Sequence, residues 1–407
     1  MTNKKITMIT EINVNGFKSL NEFSVTFTRG INVIVGPNGS GKTNICQVLN
    51  IISSVPRGNL QNYLSSIGGA NTIFTKAPNG SREIQISASG ECNGRGSKNS
   101  DYHLKYTYKI TLSIEKENFH LNDSLVVRRE TNGSFKQIIK ATTEDGNIKC
   151  TIFDKEGIGD HVTPFFDEMD EKKQKTINFR SDKNDSIWGI LPKLFFVCYC
   201  IMVDIERLRL INIDPNIARE PCDIIEYDKM HGNGRYLANE LSRILQNENY
   251  KNELESLLTQ AVPSFQNLHI STSQVDFRRT IQIQNDECNF SSANLSDGTI
   301  KLIGVLVAII TQDNYTVIIE ELENYLHPNV NRLLIDYLRE SFVTNACILT
   351  SHSETILNLV HPSELIICKY SHGKTQCNRI KDLKAISKAI ELSGFGCGYH
   401  YVLGNLD

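Results

Sequence analysis

Apolar and polar residues alternate with a period that changes several times along the chain. Residues 9–14 and 23–27 read as two strands, separated by Gly16-Phe17-Lys18-Ser19-Leu20-Asn21 and expected at a sheet edge beside the strand that follows. Residues 31–35 form a mostly apolar, β-branched run, after which Ile45, Val48, Leu49 and Ile52 recur at helical spacing. Residues 56–75, rich in Gly, Asn and Ser, predict irregular backbone broken by a short helix. Between 83 and 153 the period becomes two: Ile84/Ile86, Leu104 through Ile114, Leu125/Val127 and Ile148 through Ile152 predict an antiparallel sheet with one wet face. Helical spacing returns at 235–245 and 250–261, where Pro263 closes the second helix, and two strands are expected at 268–271 and 280–283. Ile300, Ile303, Val305, Leu306 and Ile309 mark a further helix, and residues 316–319 and 348–349 read as buried strands.

Composition narrows the class without deciding it. The 407 residues are 40% hydrophobic and 22% charged, enough for a sizeable core, and the net charge of −3 argues against a surface coated with phosphate-binding residues. A local basic groove, and so contact with DNA, stays open. Eleven cysteines, with only Cys198 and Cys200 close together, match no zinc knuckle or redox pair and read as reduced thiols of a cytoplasmic protein. The N-terminus lacks the apolar core of a signal peptide, and the apolar stretch 187–203, broken by Pro192 and Lys193, is too short for a span and reads as core; no membrane partner is expected. The run Asp167, Glu168, Asp170, Glu171, followed by lysines, is a solvated face or a docking site for a partner protein.

Four stretches carry chemistry. Gly36-Pro37-Asn38-Gly39-Ser40-Gly41-Lys42-Thr43 matches G-x-x-x-x-G-K-[ST] between a strand and a helix, the context that lets backbone N–H groups cradle phosphates. Lys42 would reach the β- and γ-phosphates of ATP, and Thr43 would ligate Mg²⁺. Asn294-Leu295-Ser296-Asp297-Gly298 opens a helix that Ser296 or Asp297 would cap; by itself this is a common helix start. Residues 316–321 end a buried strand in Glu320 and Glu321, the way a phosphate-loop enzyme presents Mg²⁺ and its attacking water, although a solvated strand end would read alike. His352 ends another apolar strand, where ligands collect at a parallel-sheet edge.

In that order these motifs resemble the ABC-type ATPases of the SMC, RecF and OLD kind. The likeness is nearest to bacterial AAA-domain ATPases, through Val14-Asn15-Gly16-Phe17-Lys18-Ser19-Leu20, Glu321-Leu322-Glu323-Asn324-Tyr325-Leu326-His327-Pro328 and Tyr401-Val402-Leu403-Gly404-Asn405-Leu406. Inside the insertion it extends to the segments 213–221 and 232–238. The resemblance implies an α/β P-loop NTPase whose ABC-like head is formed from residues 1–75 and 286–407, with an α+β insertion at 76–285. It implies ATP held by Gly36 through Asn44 of one subunit and by Ser296 and Gly298 of another, Mg²⁺ held by Thr43 and Glu320, and catalysis by Lys42, Glu321 and His352. Two departures stand out: Glu320 replaces a usual Asp, and Leu322 a usual Pro. A homodimer or higher oligomer is implied.

For function, the resemblance points first to the sensor ATPase of an antiphage defence system, controlling a separately encoded effector such as a nuclease. The alternative is an ATPase acting directly on DNA in repair or chromosome maintenance; a transporter subunit fits less well because of the large insertion. The stretch after Leu365 is too short for a nuclease domain, and no heptad run predicts a coiled coil. The inserted lobe, with Lys105, Thr107, Lys109 and Thr111 on one face, is expected to dock a protein partner or a second copy, leaving any DNA contact to the paired heads.

Overall fold

The computed structural model describes residues 8–75, 82–95, 101–115, 118–144, 146–153, 174–180, 184–227, 229–285, 288–312 and 315–404. Three sheets organise them. A six-stranded sheet runs in the order Arg209–Ile211, Val317–Ile319, Ala346–Ser351, Gly30–Val35, Leu365–Ser371, Lys374–Arg379. Its first five strands are parallel and the last is antiparallel. An eight-stranded antiparallel sheet runs Phe23–Thr26, Met8–Asn15, Glu83–Arg95, Asp101–Glu115, Asn118–Thr131, Ser134–Glu144, Asn147–Ile152, Lys175–Arg180. A smaller sheet joins Cys222–Asp223, Arg278–Asn285, Phe265–Thr272 and Asn289–Ser291.

The first two strands are not beside the phosphate-loop strand, as their order in the chain suggested. Met8–Asn15 pairs with Phe23–Thr26 and Glu83–Arg95, whereas Gly30–Val35 lies between Ala346–Ser351 and Leu365–Ser371. Burial explains the difference. After Gly30 every residue of the phosphate-loop strand is buried, which suits a parallel sheet covered on both faces, while Met8–Asn15 keeps partly exposed positions, as an antiparallel sheet permits. Hydrogen bonds thus join strands from both sides of residue 75, and Arg209–Ile211, from within 76–285, extends the parallel sheet.

The parallel sheet divides two cores. Ile34, Ile318, Ile348 and Ile366 face the helix Lys42–Ser54 and the antiparallel sheet. Val33, Val35, Ile319 and Leu349 face the helices Asp297–Ile310 and Pro328–Ser341. The period-2 reading of Leu104–Leu112 holds, with Leu104, Tyr106, Tyr108, Ile110 and Leu112 buried and Lys105, Thr107, Lys109 and Thr111 turned to the wetter side. The apolar stretch 187–203 contributes Trp188, Leu191, Phe195, Val197 and Ile201 to the first core, and no described helix is long and apolar enough to cross a membrane. The acidic run 167–171 lies outside the described residues.

One buried charge gives this core a pH dependence. Asp204 accepts a hydrogen bond from Tyr106 Oη at 2.7 Å, and burial pushes its carboxyl up to about 7. A carboxyl raised on folding binds its proton more tightly in the native state, so its contribution is full below the unfolded pKa and is lost as pH rises through about 7. Asp204→Asn keeps an acceptor for Tyr106 and removes the buried charge. It is expected to stabilise the protein by about 2–4 kcal/mol at pH 8 and by much less at pH 5. Thermal melts of both proteins at the two pH values check this; an equal shift at both would contradict it.

Candidate nucleotide site

The site follows from the direction of the parallel strands. In register, Ile211, Ile319, Leu349/Ser351 and Val35 end adjacent strands, so Asn212, Glu320, His352 and Gly36 emerge along one edge. At such an edge the strands' carboxyl ends and a following helix N-terminus favour an anion.

The loop from Gly36 to Thr43 closes over that edge. Gly39 and Gly41 have φ of 79° and 101°, the left-handed region open to glycine. Space is also lacking for a side chain: a Cβ on Gly36 would meet the Cys368 carbonyl at 2.3 Å, and one on Gly41 would meet Thr375 Oγ1 at 2.1 Å. Lys42 is buried, and its ammonium donates to the carbonyls of Gly36 (2.7 Å) and Pro37 (3.1 Å), arching back over the loop. Pro37, Asn38, Gly39 and Thr43 are exposed, whereas Ser40 is buried with an Oγ that has no partner.

The back of the loop is braced by residues that motif reasoning did not assign. Thr375 Oγ1 and Cys368 Sγ both donate to the Ser40 carbonyl, at 2.9 and 3.3 Å. Ser19 Oγ bonds Thr375 Oγ1 (2.7 Å) and accepts from Asn44 Nδ2 (2.8 Å). Ser19 belongs to the Gly-Phe-Lys-Ser-Leu segment, so a signal for it existed; Thr375 sits in a plain polar strand and had none.

Glu320 is buried beside Thr43, Cys46 and Asn212, and Asn212 Nδ2 donates to its Oε2 at 3.2 Å. Burial raises its carboxyl, while hydrogen bonds from Asn212, Cys46 and Thr43 oppose the rise. A carboxylate next to the exposed Thr43 hydroxyl at the phosphate-loop helix start is an oxygen set of the kind Mg²⁺ takes together with phosphate oxygens. The extra methylene of Glu320 therefore still leaves the carboxylate beside Thr43. The residues present fit ATP and Mg²⁺.

Glu321 has a φ of 48°, unusual for a residue with a side chain. Its N–H donates to Thr350 O and Thr350 Oγ1, both at 3.1 Å, and its carbonyl accepts from Lys301 Nζ at 2.6 Å. Its carboxylate is held by Asn324 Nδ2. His352 is exposed, with Nδ1 3.4 Å from Glu323 Oε1. Glu323 also accepts from Ser351 Oγ (2.9 Å) and from the His352 N–H (3.0 Å). Lys301 and Asn212 are further residues that the motifs did not mark, and Glu323 lies in the 321–328 motif, which assigned it no role.

Ser296 caps the helix Asp297–Ile310 by accepting from the Thr299 N–H. Asp297 pairs with Arg219, which connects the 294–298 stretch (the signature) and the helix it opens, the signature helix Asp297–Ile310, to the 213–221 segment. A Cβ on Gly298 would meet the Tyr325 carbonyl at 2.5 Å. Gly298 thus rests on the Tyr325 carbonyl of its own chain.

A family model described as the AAA ATPase domain matches residues 8–357. The chain belongs to that family. The DNA double-strand break repair Rad50 ATPase of Methanococcus maripaludis is 24% identical over 152 residues, 34% of this chain, and the match spans only 15% of that protein's length. An SMC head bound to the C-winged helix domain of ScpA matches with a TM-score of 0.50 at 12% identity, over 91% of this chain and 97% of that one. An SMC head domain from Thermotoga maritima gives a TM-score of 0.44 at 13% identity, covering 92% and 100%. This AAA ATPase domain thus shares its fold with an SMC head, and in it the phosphate loop, the Glu320–Glu321 strand end and the His352 strand end adjoin along one edge of the parallel sheet.

Proposed function

We propose that this AAA ATPase domain binds ATP with Mg²⁺, hydrolyses it slowly, and does so as a head-to-head homodimer. The observation that carries the reading is the alignment of Gly36, Glu320, His352 and Asn212 along one sheet edge. Backbone N–H groups of the Gly36–Thr43 loop would take the β-phosphate, and the Lys42 ammonium would exchange carbonyl partners for phosphate oxygens. Thr43 and Glu320 would hold magnesium, which would supply positive charge to neutralise the phosphates. Glu321 would polarise the attacking water and His352 would contact the γ-phosphate. Ser296, capping its helix, and Gly298, seated against Tyr325 of its own chain, would complete the site of a partner head.

This trans arrangement is tested by mixing two variants. Lys42→Ala damages the phosphate loop and Ser296→Arg fills the signature, so each alone should lose most turnover. Mixed, they can form dimers in which one composite site is intact, and turnover should return. If the mixture stays as inactive as its components, the signature does not act across the dimer.

For the biological role, the resemblance to bacterial AAA-domain ATPases supports a cytoplasmic sensor ATPase of antiphage defence that acts through a separately encoded effector such as a nuclease. Eleven free thiols agree with a reducing compartment. A second reading is direct action on DNA in repair or chromosome maintenance, in line with the partial likeness to a Rad50 ATPase. ATP turnover with and without duplex DNA separates the two: stimulation supports the second, indifference to DNA the first.

A further inference from the structure

Lys301 is the most buried cation of the site, 2% exposed, on the first turns of the signature helix. Its ammonium donates to the Glu321 carbonyl at 2.6 Å and lies 5.8 Å from the centre of the Tyr325 ring. No motif assigned it a role, yet burying a lysine is unfavourable unless its charge is met. The carboxylates of Glu323 and Glu321 attract it, and burial still lowers its pKa to about 8.

We propose that Lys301 is a positioning residue through which the signature helix sets the backbone of Glu321, so that ATP brought to this signature by the partner head orients the acid serving this chain's own phosphate loop. The cross-head half of this inference rests on the head-to-head reading above. The two peptide groups flanking Glu321 Cα are pinned from different elements. Thr350, on Ala346–Ser351, takes the N–H, and Lys301, on the signature helix, takes the carbonyl. Together they hold a φ of 48° that a side-chain-bearing residue adopts only under constraint, and with it the direction of the carboxylate. A second strut runs parallel, because Gly298 lies against the Tyr325 carbonyl so closely that a Cβ would come to 2.5 Å. A shift of the signature helix is therefore passed to both ends of the 321–325 turn.

Lys301→Met keeps the aliphatic stem and removes the donor. ATP affinity is expected to stay within about twofold of wild type while kcat falls about 10- to 100-fold, a split typical of an interaction realised in the transition state. Lys301→Arg, which keeps a charged donor, should recover most of kcat. Should Lys301→Met melt below the assay temperature, Lys301→Gln supplies a neutral donor at the same place, and an intermediate kcat with unchanged affinity is expected. Unchanged kcat in a folded Lys301→Met, or equal losses of kcat and ATP affinity, would overturn the proposal. Light scattering of the wild type with ATP keeps the two readings apart. A wild type that remains monomeric sinks the head-to-head reading and the cross-head half with it, whereas a dimer with an unaffected Lys301→Met sinks the Lys301 inference alone.

Discussion

Glu321→Gln is expected to bind ATP as wild type does and to lose a factor of about 10²–10⁴ in turnover, the usual range for removing a general base. The isosteric amide can still accept from Asn324 Nδ2 and leaves the backbone contacts to Thr350 and Lys301 in place. The ground state is thus nearly unchanged. What disappears is the negative charge that would polarise water, which would matter only as the transition state forms, so kcat is expected to fall while affinity holds. Equilibrium binding of a fluorescent ATP analogue and phosphate release, measured on the same preparation, check both halves. A loss of affinity equal to the loss of turnover would move Glu321 from catalysis to binding.

Lys42→Ala should give the opposite pattern, with ATP affinity falling about 10- to 100-fold or more and turnover lost with it. The ammonium is a buried side-chain cation held against the loop, and charge-assisted bonds to phosphate are worth about 1.5–3 kcal/mol each. Folding should suffer little, because the carbonyls of Gly36 and Pro37 that Lys42 occupies lie in a loop with exposed neighbours where water can replace it. Calorimetric titration with ATP and a thermal melt separate the two effects. Normal affinity in a folded Lys42→Ala would remove the phosphate loop from nucleotide binding.

The proposed reacting groups were more legible than their supports, for a physical reason. Phosphate binding needs glycines, a lysine and a hydroxyl at fixed spacing along one stretch, so Gly36 through Thr43 announce themselves, and Glu320 and His352 are marked by ending apolar strands. Residues that act by long-range contact leave no such spacing. Thr375 and Cys368 reach Ser40 from more than three hundred residues away, and Asn212 meets Glu320 only because two parallel strands end side by side. Strand partners were unclear for the same reason: local alternation shows that Met8–Asn15 is a strand, while its pairing with Glu83–Arg95 is settled by which faces can be buried together. Lys301 was hidden differently, since a single lysine in an apolar helix reads as a solvated position until the fold buries it.

The most direct test of the account is the mass of Glu321→Gln by light scattering, with and without ATP and Mg²⁺. A phosphate loop in one head completed by Ser296 and Gly298 of another predicts that the mass rises from one chain to two when ATP is added, and that Ser296→Arg in the same background abolishes the rise. A mass that ATP leaves unchanged would contradict the composite site.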